Sequence, residues 1–326
     1  MSLANLIDSF SDLNILVIGD TMIDAYYIGT INRMSPEAPV PIVSFDKKDH
    51  RPGGAANVAL NLKSMGANVT LCTVVGMDSE GAELKSLLEQ ENIITDGVFF
   101  DKSRPTTVKT RVIADEHHLL RMDHESTQPI NLELEQQILN FIGNTIDEAD
   151  AIIFEDYNKG LLTQTLITEI ISLANSKNIP SIVDPKKDNF LAYTNCSLFK
   201  PNRKEIKEGL PTDLDLSITD NIEKAASQLI ERLGCKSVMV TLSEDGVYIK
   251  SNTESIHIKA HERTITDVSG AGDTVVSLAA LCLAKGLSLL ELAEISNIGG
   301  GLVCQKVGVV PINKDELKEE LNRLGL

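Results

Sequence analysis

The sequence lacks any apolar run approaching the roughly 20 residues that a helix needs to cross a bilayer, so nothing in it reads as a membrane-spanning helix. Its opening segment, residues 1–14, carries acidic residues and no basic stretch, which argues against a secretory signal. Positive charge is scarce: 30 Lys and Arg against 47 Asp and Glu give a formal net charge of −17. Such a surface repels nucleic acid and anionic lipid, so neither is an expected partner. An anionic substrate would need a local cationic pocket working against the whole-protein field. The five cysteines (Cys72, Cys196, Cys235, Cys282, Cys304) are scattered, odd in number and without Cys-x-x-Cys spacing. They read as buried, reduced thiols of a cytoplasmic protein, and neither as a disulfide framework nor as a zinc site. The six histidines show no ligand spacing, and His117-His118 reads as an exposed turn. The first strong apolar run ends in Gly19-Asp20 without the Gly-x-Gly-x-x-Gly turn of a dinucleotide-binding dehydrogenase, which sets that class aside. No repeat, low-complexity tract or clear linker divides the chain, so residues 1–326 read as one domain.

What is present is a soluble α/β pattern. Apolar residues make up 42% and charged residues 24%, ordinary for a globular protein. The run Ile15-Leu16-Val17-Ile18 reads as a strand buried on both faces, as in a parallel sheet. Similar strands are expected at 69–75, 151–154, 181–184 and 237–241, with helical patterns at 55–65, 134–146, 163–176 and 221–233. Such alternation implies a three-layer α/β/α domain with a mainly parallel sheet. Ligands bind at the carboxyl ends of such strands, where Asp20, Glu155-Asp156, Asp184 and Thr241 fall. Residues 25–45 and 98–122 break the pattern with short alternating runs. They read as a small antiparallel β-sheet that lies over the site as a lid or pairs with a second copy.

The segment richest in chemistry is Thr266-Asp267-Val268-Ser269-Gly270-Ala271-Gly272-Asp273, with a helix expected over 274–285. Two glycines bring backbone close to a ligand, and the helix start offers unpaired N–H groups and positive dipole potential to a phosphate. Phosphoryl transfer needs that charge stabilisation and a carboxylate beside the attacking hydroxyl. Asp273 supplies the carboxylate, and the dipole is expected to keep it ionised. Spacing alone leaves open the alternative of a glycine-rich turn with Asp273 as an ordinary helix cap.

Asp267-x-x-Gly270-Ala271-Gly272-Asp273 resembles the C-terminal signature of the pfkB, or ribokinase-like, carbohydrate kinases. Gly53-Gly54-Ala55-Ala56-Asn57-Val58-Ala59 is similar to that family's sugar-binding motif, and Asp20 and Asp24 to its early substrate-binding carboxylates. Asn202-Arg203-Lys204-Glu205 resembles the Asn-x-x-Glu motif associated with magnesium and phosphate positioning. Thr241-Leu242-Ser243-Glu244-Asp245-Gly246 resembles the nucleotide motif Thr-x-Gly-x-x-Gly, with Ser243 in place of its first glycine. Asn297 and Gly299-Gly300-Gly301 lie where the family places small residues beside adenine, and close helix packing would explain them equally well. The resemblance spans about residues 13–312. Within the family, Ser35-Pro36-Glu37-Ala38-Pro39, Arg51-Pro52-Gly53-Gly54 and Asp156-Tyr157-Asn158-Lys159-Gly160 are most similar to the kinase domain of bacterial heptose 7-phosphate kinase/heptose 1-phosphate adenylyltransferases. Glu155 stands where those usually carry a small residue.

The resemblance implies transfer of the ATP γ-phosphate to O1 of D-glycero-β-D-manno-heptose 7-phosphate, a step towards ADP-heptose and lipopolysaccharide. Asp273 would be the base and the Gly270–Ala271–Gly272 backbone would stabilise the transferring group. Asp20, Asp24, Gly53, Gly54 and Asn57 would hold the sugar. Asn202, Thr241, Ser243, Gly246, Gly270, Gly272 and Asn297 would hold the nucleotide. Mg²⁺ would be positioned indirectly by Glu205 and Asn202, and a monovalent cation requirement stays open. A phosphosugar needs cations; among Arg33, Arg51, Arg104, Lys109, Arg111, Arg121, Lys159 and Lys186, the favoured set is Arg104, Arg111, Lys159 and Lys186. The resemblance also makes a homodimer through the lid plausible. The bifunctional relatives continue into a nucleotidyltransferase domain with a His-x-Gly-His motif, which this sequence lacks, so that step is expected to belong to another chain, or this sequence is an excised domain. The competing readings are another sugar or nucleoside kinase of the family and a non-catalytic sugar-phosphate- or nucleotide-binding regulator.

Overall fold

The computed structural model describes residues 3–115 and 117–326. Its strands are β1 (Asn14–Gly19), β2 (Thr21–Met34), β3 (Pro41–Gly54), β4 (Asn68–Gly76), β5 (Ile94–Asp101), β6 (Val108–Ala114), β7 (His117–His124), β8 (Ala151–Glu155), β9 (Ser181–Asp184), β10 (Leu198–Phe199), β11 (Ser237–Thr241), β12 (Val247–Ser251) and β13 (Ser255–Ile258). The helices are α1 (Leu3–Leu6), α2 (Ala55–Ser64), α3 (Ser79–Gln90), α4 (Leu132–Thr145), α5 (Gln164–Ser176), α6 (Arg203–Gly209), α7 (Thr219–Leu233), α8 (Ala271–Ala284), α9 (Leu289–Val303) and α10 (Lys314–Leu324).

Nine strands form the main sheet in the order β13-β12-β11-β10-β9-β8-β1-β4-β5. All neighbours from β11 to β5 are parallel, and β12 and β13 close one edge as antiparallel strands. Strand side chains alternate between faces, and the two cores divide accordingly. Ile15 and Val17 of β1, and Ala151 and Ile153 of β8, pack with α2, α8 and α9. Leu16 and Ile18, with Ile152 and Phe154, pack with α4, α5 and α7 on the other face. A strand buried on both faces must be apolar throughout, which is why β1 and β8 read as continuous apolar runs.

The small sheet runs β3-β2-β6-β7. It is mixed: β2 and β6 are parallel, while β2–β3 and β6–β7 are antiparallel. Its first segment is longer than the expected 25–45, covering 21–34 and 41–54, and its second starts later than expected. Residues 94–101 belong to the main sheet as β5, where Val98 is buried in the core, so the second lid segment is confined to β6 and β7. Glu116 lies outside the described residues. His117 and His118 open β7, exposed as expected but in a strand. All five cysteines are buried and unbridged. Among the described residues, no helix is long and apolar enough to cross a membrane.

Parallel pairing aligns the strand ends that carry acids. Gly19 pairs with Glu155, and Glu155 with Asp184. Backbone bonds from Asp20 N to Glu155 O (3.0 Å) and from Asp156 N to Asp184 O (3.1 Å) extend the alignment one residue beyond the strands. Helix α8 delivers Asp273 to the same end of the sheet, in its first turn.

Candidate active site

Helix α8 starts at Ala271, three residues before the expected helix, so Asp273 stands third in its first turn. Gly270 precedes it at φ 80°, in the left-handed region where glycine is favoured. A Cβ there would come within 3.0 Å of Asn57 Nδ2. That nitrogen donates to Asp273 Oδ2 at 2.6 Å, and the Tyr157 hydroxyl donates to Asp273 Oδ1 at 3.1 Å. Asn57 is itself held by Asn61, whose Nδ2 donates to Asn57 O at 2.8 Å and whose Oδ1 accepts from Thr274 Oγ1 at 2.8 Å. Asp273 is 5% exposed. Burial pushes its pKa up to about 6; the Asn57 bond opposes that and the nearby Asp184 carboxylate adds to it. The dipole effect expected from sequence is therefore outweighed by desolvation, although the group is still mostly ionised at neutral pH. A carboxylate so placed can accept a proton from a hydroxyl and is poised to do so near pH 6–7.

Behind Asp273 lies a buried charged floor. Lys200, 2% exposed, sets its Nζ 2.8 Å from Asp184 Oδ2. Lys186 bonds Glu205 Oε1 and lies 4.0 Å from Asp184 Oδ1. Burial alone would lower both ammonium groups, but the Asp184 and Glu205 carboxylates raise them overall. Glu155 is buried beside them, its carboxyl raised well above the usual range by burial and by Asp184 and Asp273.

On the lid side of Asp273, the structure gives several expected sugar-binding residues other partners. Asp20 accepts from the backbone amides of Tyr157 and Lys159 (both 2.9 Å) and Leu161 (3.3 Å). It thus holds the loop that carries Tyr157, with its pKa raised to about 6 by burial and by Asp156. Asp24 pairs with Arg111 at 2.5 Å. Gly53 permits that arrangement, since a Cβ there would sit 2.3 Å from Asp24 Oδ2. Gly54, at the end of β3, accepts the turn into α2. Arg104 is buried and fully engaged: it pairs with Asp101 (3.3 Å) and donates to the carbonyls of Lys159 (2.8 Å) and Gln128 (2.6 Å). Of the favoured cations, Arg104 therefore holds backbone, Arg111 holds Asp24, Lys186 holds Glu205, and Lys159 pairs with Glu125 at 2.8 Å. Lys109 has no ion pair within 4.0 Å among the described residues. Its ammonium lies 5.5 Å from the Tyr157 ring centre, and burial together with Lys159 pushes its pKa down.

The expected nucleotide residues line one cleft of about 900 Å³. Asn202, Thr241, Ser243, Gly246 and Asn297 face Gly270, Ala271, Gly272 and Asp273 across it. Asn202 caps α6 with a reciprocal capping box: its Oδ1 accepts from Glu205 N and Glu205 Oε2 from Asn202 N, both 2.9 Å. Both oxygens of Glu205 are thus bonded, which fits an indirect part in metal positioning better than direct ligation. Ser243 adopts φ 57°, which explains why glycine suits that place in the motif. Asn297 donates to Lys259 O at 2.9 Å. Gly299 packs against Leu278, so close helix packing accounts for that glycine. Sequence reasoning missed Lys200 and Tyr157 as a partner of Asp273, and it placed Glu155 and Asp184 at the strand ends without giving either a role. The one available sign for Lys200 was a lone lysine ending the apolar run Leu198-Phe199.

Comparison with known proteins gives the family. The family profile "pfkB family carbohydrate kinase" matches residues 12–316. The chain is 38% identical to Bifunctional protein HldE of Syntrophotalea carbinolica over 321 residues, covering 98% of this chain and 65% of that protein. It is 40% identical to Bifunctional protein HldE of Helicobacter pylori strain J99, covering 95% and 66%. The chain thus spans about two thirds of the length of these curated relatives. Among solved structures, phosphofructokinase-2 from Escherichia coli in complex with potassium superimposes with a TM-score of 0.80 at 21% identity, covering 96% of this chain and 100% of that one. Arabidopsis thaliana ribokinase complexed with ribose and ATP gives 0.71 at 17%, covering 95% and 98%. These two likenesses establish the fold, and the profile match over nearly the whole chain establishes that this protein is an enzyme of the pfkB family of carbohydrate kinases.

Proposed function

We propose that the chain transfers the γ-phosphoryl group of ATP to O1 of D-glycero-β-D-manno-heptose 7-phosphate, giving the 1,7-bisphosphate and ADP. The observation that carries the reading is Asp273, buried at the start of α8 between the cleft and the lid, with Asn57 and Tyr157 fixing both oxygens. The acceptor hydroxyl gives its proton to Asp273 as its oxygen bonds to the γ-phosphorus. The bond from that phosphorus to the β-phosphate oxygen breaks, and ADP leaves. At the start of α8 the Ala271 amide donates to Val268 O (3.3 Å) and the Thr274 amide to Gly270 O (3.0 Å), which leaves the Gly272 and Asp273 amides to meet the developing charge. Mg²⁺, when bound, neutralises phosphate charge; Asn202 and Glu205 line the part of the cleft where it would be positioned. Positioning and preorganised charge carry most of the rate.

The heptose phosphate is favoured over a neutral sugar by two observations. Identity to the HldE proteins extends over nearly all of this chain. Lys109 places its ammonium 5.5 Å from the Tyr157 ring centre and near enough to Lys159 for the two charges to interact, and Lys109 has no carboxylate within ion-pair distance among the described residues. They suit the distal phosphate of the acceptor. The lid also leaves Met34, Phe45, Leu120 and Met122 more than half exposed. That apolar surface supports a homodimer formed lid to lid.

The test is ADP release from Mg-ATP with heptose 7-phosphate, sedoheptulose 7-phosphate, fructose 6-phosphate, ribose and fructose. Turnover confined to the heptose phosphate is expected. Lys109→Ala should raise its KM at least roughly tenfold, because a charge-assisted contact is lost, and move the KM for ATP by less than about twofold. Preference for a neutral sugar would overturn the heptose assignment and keep the kinase, and silence across the panel would favour a non-catalytic binder.

A further inference from the structure

Arg51 stands in β3 just before the paired glycines, and phosphoryl transfer as proposed makes no use of it. Its guanidinium is engaged at both ends. Nε and Nη2 donate to Asp49 Oδ2 at 3.2 and 2.9 Å, while Nη1 reaches off the lid to the carbonyls of Val307 (3.3 Å) and Val309 (3.2 Å), in the loop between α9 and α10. The same guanidinium lies over the Tyr26 ring, 5.1 Å from its centre, and Arg111 lies over that ring at 5.2 Å. Arg111 in turn pairs with Asp24. One side chain thus ties the lid to a loop of the main domain.

That loop holds the turn that delivers Asp273. Gly308 donates its amide to Asp267 Oδ2 at 2.9 Å, and the other oxygen of Asp267 accepts from the Ser269 amide at 2.9 Å. The Thr266 and Asp267 amides both donate to Cys304 O (2.8 and 3.2 Å), which pins the turn from the same side. Val309 packs directly on it, since a Cβ at Gly270 would stand 3.4 Å from Val309 Cγ1. Gly308, at φ 72°, leaves room for the guanidinium: a Cβ there would meet Arg51 Nη1 at 2.7 Å. A planar fork fixes its partners in direction as well as distance, which an ammonium on a flexible stem does not. Direction matters here, because misplacing reacting groups by about 1 Å can cost about 10²-fold in rate.

We infer that Arg51 is a positioning residue, which holds residues 307–309 against Asp267 from the lid and so sets the Gly270–Gly272 turn and Asp273 for transfer. Seating of the lid and geometry of the turn are thereby linked. The structural part holds for any acceptor, whereas the effect on rate rests on the proposed kinase reaction.

Two measurements separate those parts. Amide hydrogen exchange by mass spectrometry on the nucleotide-free protein needs no acceptor. Arg51→Met should exchange at least roughly tenfold faster over residues 266–273 and 304–310, with α7 unchanged. With any acceptor that turns over, kcat should fall roughly 10- to 100-fold while both KM values stay within about threefold, the pattern of a loss felt only in the transition state. Asp267→Ala breaks the same relay one step further on. The double variant should therefore lose little more kcat than the worse single variant, whereas independent lesions would multiply. If Arg51→Met does not fold, Arg51→Lys keeps the charge without the fork and carries the same exchange test. Unchanged exchange over 266–273 would overturn the inference. So would multiplicative kcat losses, or a raised KM with kcat intact, which would make Arg51 a binding residue. Silence with every acceptor would count against the proposed reaction, and the exchange result alone would then decide the role of Arg51.

Discussion

Asp273→Asn separates the cost of the proposed base from its use. The Asp273 pKa rises from an ordinary 3.8 to about 6 in the folded chain. Its ionised form therefore disfavours folding: the penalty vanishes below about pH 3 and grows with pH until it levels off above the folded pKa. The full difference amounts to about 3 kcal/mol at pH 8 and about 0.5 kcal/mol at pH 4. The amide can keep the Asn57 bond by turning its oxygen to Nδ2, and can offer its NH₂ to the Tyr157 oxygen. With 326 residues at about 2.1 cal/mol/K each, the unfolding entropy is near 0.7 kcal/mol/K, so the variant should gain up to about 4 °C in Tm at pH 8 and about 1 °C at pH 4. Metal-free buffer keeps the comparison to protons alone. In the same variant kcat should fall roughly 10²- to 10⁴-fold, with ATP affinity nearly intact. A Tm that does not rise at pH 8, or rises equally at both pH values, would refute the burial argument. A kcat within about tenfold of wild type would remove Asp273 as the base.

Other variants test the division of labour around it. Tyr157→Phe removes the hydroxyl bonded to Asp273 Oδ1; kcat should fall roughly 10- to 100-fold while both KM values move little, since one hydrogen bond to a charged group is worth about 1.5–3 kcal/mol. Arg104→Ala leaves Asp101 and the carbonyls of Lys159 and Gln128 without their guanidinium; it should cost roughly 3 kcal/mol or more of stability, read by denaturant unfolding, and equal loss of phosphosugar binding with intact stability would contradict the structural role. Leu120→Asp puts a charge in the exposed apolar face of the lid; in analytical ultracentrifugation the proposed lid-to-lid dimer should be seen in wild type and lost in the variant, and a monomeric wild type or an unchanged variant dimer would refute that interface.

The main sheet was legible because its strands are buried on both faces. That burial demands unbroken apolar runs such as Ile15-Leu16-Val17-Ile18, with the functional acids immediately after them. The lid was half legible. β5 alternates like a lid strand, since edge strands carry one polar face, and only the packing of Val98 in the core assigns it to the main sheet. The pairing of β2 with β6 as parallel neighbours joins residues far apart in the chain, and no local pattern encodes it. The glycine-rich turn and Asp273 were legible from spacing, and the register of Asn202 and Thr241 across the cleft supports their grouping. The cations were not legible. A lysine or arginine looks alike in sequence whether it holds a carboxylate, as Lys186 and Arg111 do, or faces a site unpaired, as Lys109 does.

That distinction bears on how a chain of net charge −17 would hold the two anionic substrates of the proposed reaction. Cations already paired contribute little field outside their pair, because the partner carboxylate cancels them at a distance. Lys186 and Lys200 are of this kind, committed to Glu205 and Asp184 in the lining of the cleft. The potential available to a ligand comes from what is left over: Lys109 on the lid side and the first turn of α8 on the cleft side. These two sources lie on either side of Asp273, one suited to the distal phosphate of an acceptor and the other to the phosphoryl group in transfer. In the proposed reaction the acceptor hydroxyl is drawn between them, against a carboxylate whose oxygens are both fixed by neutral side-chain donors, Asn57 and Tyr157. Neutral donors hold the carboxylate without supplying the permanent positive charge that would quench its basicity. A lysine in place of Asn57 would hold Asp273 as firmly and make it a poorer proton acceptor.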